Sequence, residues 1–290
     1  MELPQKSYAH LVRSYVGGLA HVHTRLSNHP GHHESDLTIE SLVAMLRKNH
    51  QWSPGRAPLE YILFNEHSSN PDQPKTLGWL SLRAWQLRRR RPASEGGIPL
   101  FYGLEVSLLA GGETDLVPRL DDGRMVVIAS RHRLPADAER DSGAIMELFE
   151  RACFNRCVNV IGHPARNIED LAAVNWARVF EFAAESGTAI EVNVNTFPRA
   201  ETEGARMQFW TKWMELLGQS EAQVFMGMDL HNTIQVRRLS EQWALLEDTG
   251  RFNSLRECVR LMAGSGIGPE RVVNRNLAAL REWMALDKMR

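Results

Sequence analysis

Cysteine is nearly absent, with three in 290 residues: Cys153, Cys157 and Cys258. An odd, scattered set supports no disulfide framework. Cys153 and Cys157 stand four apart in an expected helix, so all three read as core thiols in a reducing, cytoplasmic setting. Long apolar runs are missing as well. The opening MELPQKSYAHLVRSYVGG holds no stretch fit for a signal peptide or a spanning helix, and no membrane association is expected. Neither sign of charge dominates: 34 Lys and Arg against 35 Asp and Glu give a net −1, which removes any global electrostatic reason for nucleic-acid binding. No Pro/Gly/Ser-rich linker and no fixed-period repeat divide the chain, so residues 1–290, 43% hydrophobic, read as one domain.

What is present is alternation. Short apolar, β-branched runs at 16–22, 60–64, 100–106, 125–129, 158–161, 189–194 and 224–228 predict strands. Between them lie segments of helical period. In the stretch 38–48, Ile39, Leu42, Val43 and Leu46 follow the i, i+3, i+4, i+7 spacing, with Thr38 as N-cap and Glu40 facing the positive end of the dipole. Further helices are expected near 74–90, 141–156, 168–186, 203–217, 235–247, 252–263 and 270–287. About seven strand–helix units predict an α/β fold with a parallel sheet closed as a distorted, TIM-like (β/α)7 barrel. Such barrels carry their chemistry at the C-terminal ends of the strands.

The residues at those ends are strongly biased. The first strand ends in His21 and His23, followed by His29 in a loop; the second ends in Asn65-Glu66-His67. Glu105 lies in the third, His132 follows the fourth and His163 the fifth, Glu191 and Asn193 lie in the sixth, and Asp229 and His231 follow the seventh. Seven of the eleven histidines fall in this set. Residues two apart share a strand face, so His21 and His23 can aim into one barrel mouth, as can Asp229 and His231 on the neighbouring last strand. A lone histidine at a strand end is more often a hydrogen-bonded structural residue; a full ring of imidazoles and carboxylates points instead to divalent cations. No thiolate takes part, and the donors suit zinc, manganese or iron. Nine donors exceed what one ion needs, so two to three metals are expected. His32 and His33 read as a solvated turn, and His10 and His50 as surface residues.

The series H-x-H, a loop His, a His after an acidic residue, G-x-E, His, G-H-P, E-x-N and D-x-H resembles the PHP (polymerase and histidinol phosphatase) family, in its compact single-domain phosphatase form. The resemblance spans His21 to His231, nearly the whole chain. It implies a trinuclear centre. His21, His23, Glu105 and Asp229 would hold one ion. Glu105 would bridge to a second ion held with His132 and His163, and His29, His67 and His231 would hold the third. Two departures from the family pattern stand out. Glu66 replaces the usual Asp before His67, where it is expected to orient its neighbour, and Leu19-Ala20 precede H-x-H in place of an acidic residue.

The chemistry this predicts is hydrolysis of phosphate esters by a metal-activated water, with Glu105, Asp229 and His231 as the catalytic residues. Arg131, Arg133, Arg166 and Arg199 are candidate phosphate clamps, Arg166 and Arg199 foremost, and Asn193 could orient substrate or support a ligand. A phosphomonoesterase acting on a small metabolite or nucleotide is the first reading. The alternative, a phosphodiesterase or 3′–5′ exonuclease, rests on WLSLRAWQLRRRRP at 79–92. There Arg88 to Arg91 read more simply as the charged end of a helix, with Trp79 and Trp85 packed inward. A catalytically dead module would lack ligands, and none of the nine is missing.

Overall fold

A computed structural model describes residues 7–28, 35–48, 59–68, 94–95, 97–109, 111–115, 125–132, 141–166, 174–198 and 203–286. His29, His32, His33, Arg133, Arg199 and the tryptophan–arginine stretch at 79–92, with the helix expected near 74–90, lie outside the described residues.

The seven expected strands all form. They are β1 (Leu19–Val22), β2 (Ile62–His67), β4 (Ile98–Ser107), β5 (Val127–Ser130), β6 (Val160–Gly162), β7 (Ala189–Asn193) and β8 (Val224–Gly227). A two-residue β3 (Ser94–Glu95) adds an antiparallel pair at the start of β4. All seven are parallel and neighbour one another in chain order. The sheet then closes on itself: Met228 N donates to Ala20 O, Leu230 N to His21 O and His23 N to Leu230 O. This is a seven-stranded parallel barrel with helices between strands, as the alternation predicts.

The helices are α1 (Tyr8–Tyr15), α2 (Ile39–Lys48), α3 (Ser142–Cys153), α4 (Trp176–Ser186), α5 (Gly204–Gln219), α6 (Thr233–Ala244), α7 (Ser254–Gly264) and α8 (Leu277–Ala285). Thr38 caps α2 as expected: its Oγ1 accepts from Ser41 N, while Ser41 Oγ accepts from Thr38 N. Two expectations need correcting. Helix α3 stops at Cys153, so Cys157 lies beyond it and is only half-buried rather than in the core. Helix α1, unforeseen, has the backbone N–H of Ala9 satisfied by Glu247, a partner remote in sequence that no local pattern shows.

Two apolar shells hold the barrel. The outer shell joins helices to sheet, through residues such as Leu19, Val22, Phe64, Val127, Ile161, Val192 and Met226. The inner one fills the barrel floor with Ala20, Tyr61, Leu63, Val126, Ile128, Val160, Ala189 and Phe225, and Val273, Leu280 and Trp283 pack against these from the C-terminal segment. Burying each large side chain contributes roughly 1.5–3 kcal/mol. Alternate residues face inward, so Tyr61 and Leu63 continue to Asn65 and His67, and Val126 and Ile128 to Ser130 and His132. The apolar floor and the polar mouth are therefore one alternating pattern read upward.

Candidate metal centre

The middle layer of the barrel is carved out by glycine. A side chain at Gly103 would overlap Val126 O and stand 2.5 Å from Asn65 Nδ2. One at Gly162 would overlap Ser130 Oγ, and one at Gly227 would overlap Glu191 Oε1. Three missing Cβ atoms make room for polar side chains beneath the mouth.

Strict alternation does not deliver every histidine. Ala20 faces the barrel interior, so regular β1 would turn Val22 inward and both His21 and His23 outward. The pairing instead steps from Ala20–Leu63 to Val22–Phe64, which leaves His21 as an extra residue in the strand, with φ at 59°. This bulge reverses the phase, so Val22 joins the outer shell and both histidines enter the mouth. Left-handed φ values recur at His163 (24°) and Asp229 (48°), the only other described non-glycine positions with positive φ. Each costs roughly 1–3 kcal/mol, and such strain persists only where surroundings enforce it. H-x-H and D-x-H are thus not simple same-face strand pairs: β8 ends at Gly227, before Asp229.

Glu105 stands at the centre, 1% exposed. Its Oε2 lies 3.2 Å from His21 Nε2, 3.3 Å from His23 Nε2 and 3.1 Å from His67 Nδ1. Its Oε1 lies 3.3 Å from His132 Nε2 and 2.9 Å from His163 Nε2. Asp229 Oδ1 faces His21 Nε2 at 3.7 Å, His23 Nε2 at 3.6 Å and His231 Nε2 at 2.9 Å. Four sets of donor atoms lie close enough to hold an ion: His21, His23 and Asp229; His21, Glu105 and His163; His67, Glu105 and His132; His23, His67 and His231. Eight of the nine expected ligands are thus brought together, and His29 is the one outside the described residues.

The donor chemistry fits divalent cations on a direct test. Buried His21 Nε2, His23 Nε2, Glu105 Oε2 and His231 Nδ1 have no hydrogen-bond partner among the described residues, although such groups are costly to leave unmet. The opposite ring atoms are fixed. His21 Nδ1 lies 2.6 Å from Glu191 Oε1. His23 Nδ1 lies 3.1 Å from Ser27 Oγ, whose proton goes to Glu66 Oε2, so His23 Nδ1 must donate. His132 Nδ1 meets Ser107 Oγ at 3.0 Å. Holding Nδ1 this way turns Nε2 toward the centre as a lone pair, the arrangement metal-ligating histidines use.

Electrostatics agree. Burial favours the neutral form of Glu105, but the imidazoles of His21, His67 and His132 hold its carboxyl well below the usual range. Burial acts likewise on Asp229, and the neighbouring imidazoles of His23, His231 and His21 overcome it. Burial disfavours a charged His23, yet Asp229 and Glu105 push its pKa up to about 9. His21 is raised too, against burial, chiefly by Glu191 and Glu105. In the metal-free chain, protons on these rings carry the positive charge the carboxylates require.

Other expected residues fall unevenly. Glu66 accepts from Thr24 N, Thr24 Oγ1 and Ser27 Oγ, so it steadies the first loop and His23. Ser27 Oγ also accepts from His67 N, which connects Glu66 to its sequence neighbour by one further bond. Asn193 is fully buried, and its Oδ1 accepts from Asn195 N and Thr196 N, which supports the turn after β7. Arg131 is half-buried beside His132, and Arg166 is exposed after the end of β6. Sequence reasoning gave no role to Glu191, Ser27, Ser107 or Asp115. Fully buried Asp115 accepts from Ser68 Oγ and Ser107 N, and so braces the serine that holds His132. Glu191 alone had a usable signal, a carboxylate in an otherwise apolar strand.

Fold and site define a barrel with a histidine–carboxylate centre of metal-binding type. No protein-family model matches the chain. A probable phosphatase of Syntrophotalea carbinolica is 25% identical over 196 residues, covering 66% of this chain and 71% of that protein. Among solved structures, histidinol phosphate phosphatase from Lactococcus lactis, complexed with zinc, L-histidinol and phosphate, superposes with a TM-score of 0.51 at 15% identity, over 86% of this chain and 93% of the other. That likeness shows the fold. A chain of archaeal ribonuclease P with mature tRNA, at a TM-score of 0.46 and 10% identity, is too distant to carry an inference.

Proposed function

We propose that this chain is a metal-dependent phosphoesterase of the PHP type, a single domain acting as a phosphomonoesterase on a small phosphorylated metabolite or nucleotide. The observation that carries the reading is the convergence of six described histidines on two carboxylates, five of them on Glu105 and His231 on Asp229, with His21 Nε2, His23 Nε2, Glu105 Oε2 and His231 Nδ1 buried and without a hydrogen-bond partner among the described residues. The probable phosphatase relative supports phosphate ester as the substrate class, and the zinc, histidinol and phosphate of the structural neighbour support a small one.

His21, His23, Glu105 and Asp229 would hold one ion, and Glu105 with His132 and His163 a second. His67 and His231, with His29 as the proposed third ligand, would hold another. Zinc, manganese and iron all suit these donors. Bound divalent ions supply an acidified water and fixed positive charge against phosphate oxygens. Glu105 and Asp229 remain ionised in these surroundings and provide the charge that retains cations. His231 has the most exposed side chain of the described ligands, 19%, and marks the side from which an ester enters. Arg131 and Arg166 are assigned to phosphate oxygens, together with Arg133 and Arg199.

The test is turnover of 4-nitrophenyl phosphate against bis(4-nitrophenyl) phosphate after reloading with zinc, manganese or iron. Monoester hydrolysis that dominates and is abolished by chelation is the expected result. Silence with every metal would end the phosphoesterase reading, and a preference for the diester would replace the monoesterase with a phosphodiesterase. A panel of nucleotides, sugar phosphates, histidinol phosphate and short oligonucleotides then names the ester.

A further inference from the structure

Glu191 is a buried carboxylate, 1% exposed, whose two oxygens are spent on two different strands. Oε1 lies 2.6 Å from His21 Nδ1, at the end of β1, and Oε2 accepts from the backbone N–H of His163, just past β6, at 2.5 Å. On their other sides the same two histidines reach opposite oxygens of Glu105, His21 Nε2 at 3.2 Å from Oε2 and His163 Nε2 at 2.9 Å from Oε1. The four residues form a closed ring across the barrel. The imidazoles of His21 and His163 lie nearly parallel, 12° between planes and 5.7 Å between centroids.

We propose that Glu191 is a positioning residue that locks His21 and His163 into one unit, so that the two flanks of the centre take up metal together. This rests on the metal-centre reading above. Both residues have left-handed backbone, and Glu191 grips one by its ring and the other by its peptide N–H. Both bonds need an acceptor. An amide offers one oxygen and one donor, so glutamine can satisfy only one of them. The molecule also reserves the space: at Gly227 the three atoms nearest to where a Cβ would stand all belong to Glu191.

Glu191→Gln should therefore weaken zinc binding about 10–100-fold, the usual effect of removing a group that orients a metal-ligating histidine. Zinc is titrated into chelator-treated, 15N-histidine-labelled protein. Affinity is read by competition with a chromophoric chelator, and the His21 and His163 ring resonances by NMR. In the wild type the two rings shift over the same zinc equivalents; in E191Q they separate. Gly227→Ala displaces Glu191 by overlap and should give the same loss, so the test survives if E191Q does not fold. Adding Glu191→Ala to G227A removes the overlap and should recover part of the lost thermal stability but none of the zinc affinity, an outcome a purely structural role would not produce. E191Q binding zinc within twofold of wild type, or the double variant regaining affinity together with stability, overturns the proposal. Wild-type protein that takes up no zinc defeats the metal reading itself, and this one with it.

Discussion

Removing metal should destabilise the whole barrel by an amount the structure bounds. Four buried atoms, His21 Nε2, His23 Nε2, Glu105 Oε2 and His231 Nδ1, lack hydrogen-bond partners among the described residues. Each group left wholly unmet costs about 1–3 kcal/mol, and the ion pairs of His21 and His23 with Glu105 at 3.2 and 3.3 Å offset part of that, so a bound ion could recover at most about 4–12 kcal/mol. The recovery observed depends on mass action: free metal at a thousandfold excess over Kd contributes about 4.1 kcal/mol. For a chain of this length, 1 kcal/mol moves the melting temperature by about 2 °C, so reloading should raise it by about 8 °C. The assay is scanning calorimetry on protein as purified, after exhaustive chelation, and after addition of zinc or manganese with free metal clamped by a buffer. Metal bound per chain is counted in parallel by elemental analysis. A melting temperature indifferent to chelation and reloading, with no ion retained, would refute the reasoning, because these atoms would then need a partner other than a cation.

Four further outcomes are expected. Glu105→Gln removes the carboxylate that faces five imidazoles, so retained metal should fall below one ion per chain and ester turnover to background, by elemental analysis and steady-state assay. Gly103→Ala drives a methyl into Val126 O and Asn65 Nδ2 and should cost about 1–3 kcal/mol, read as a lower urea midpoint with unchanged m-value. Metal binding should release protons below about pH 9, because His23 is held protonated up to there and must be neutral to ligate, so calorimetry in buffers of different ionisation heat should give a proton count that falls as pH rises toward 9. In the chelated protein the sign reverses. A raised histidine pKa stabilises fully below the unfolded value near 6.5 and loses that contribution as pH climbs through about 9, so its melting temperature should decline across that window.

The seven parallel strands were legible because short apolar, β-branched runs separated by helical segments leave little other architecture, and the barrel closes through Met228, Leu230 and β1 as that pattern requires. Ligand candidacy was legible too, since imidazoles and carboxylates at every strand end have no place in an apolar core. Helix α1 has a local cap, Ser7, whose side chain accepts from His10 N, but its second partner is distant: Glu247 accepts from Ala9 N across 238 residues of sequence. The end of α3 at Cys153 was missed because local spacing there still favoured a helix.

How the ligands reach one point belongs to the tertiary structure. Alternation alone would have turned His21 and His23 away from the barrel, and only the pairing of β1 with β2 forces the extra residue that brings them in. The same holds for Ser27 and Asp115, whose partners lie 39 and 8 residues away and leave no local pattern, and for Glu191, whose sequence shows a buried carboxylate but not its partner 170 residues away. Sequence determines which atoms can ligate, because donor chemistry belongs to the side chain. Which atoms converge, in which tautomer and on which oxygen of Glu105, is decided by closure of the barrel, because only closure brings the distant strand ends within bonding distance.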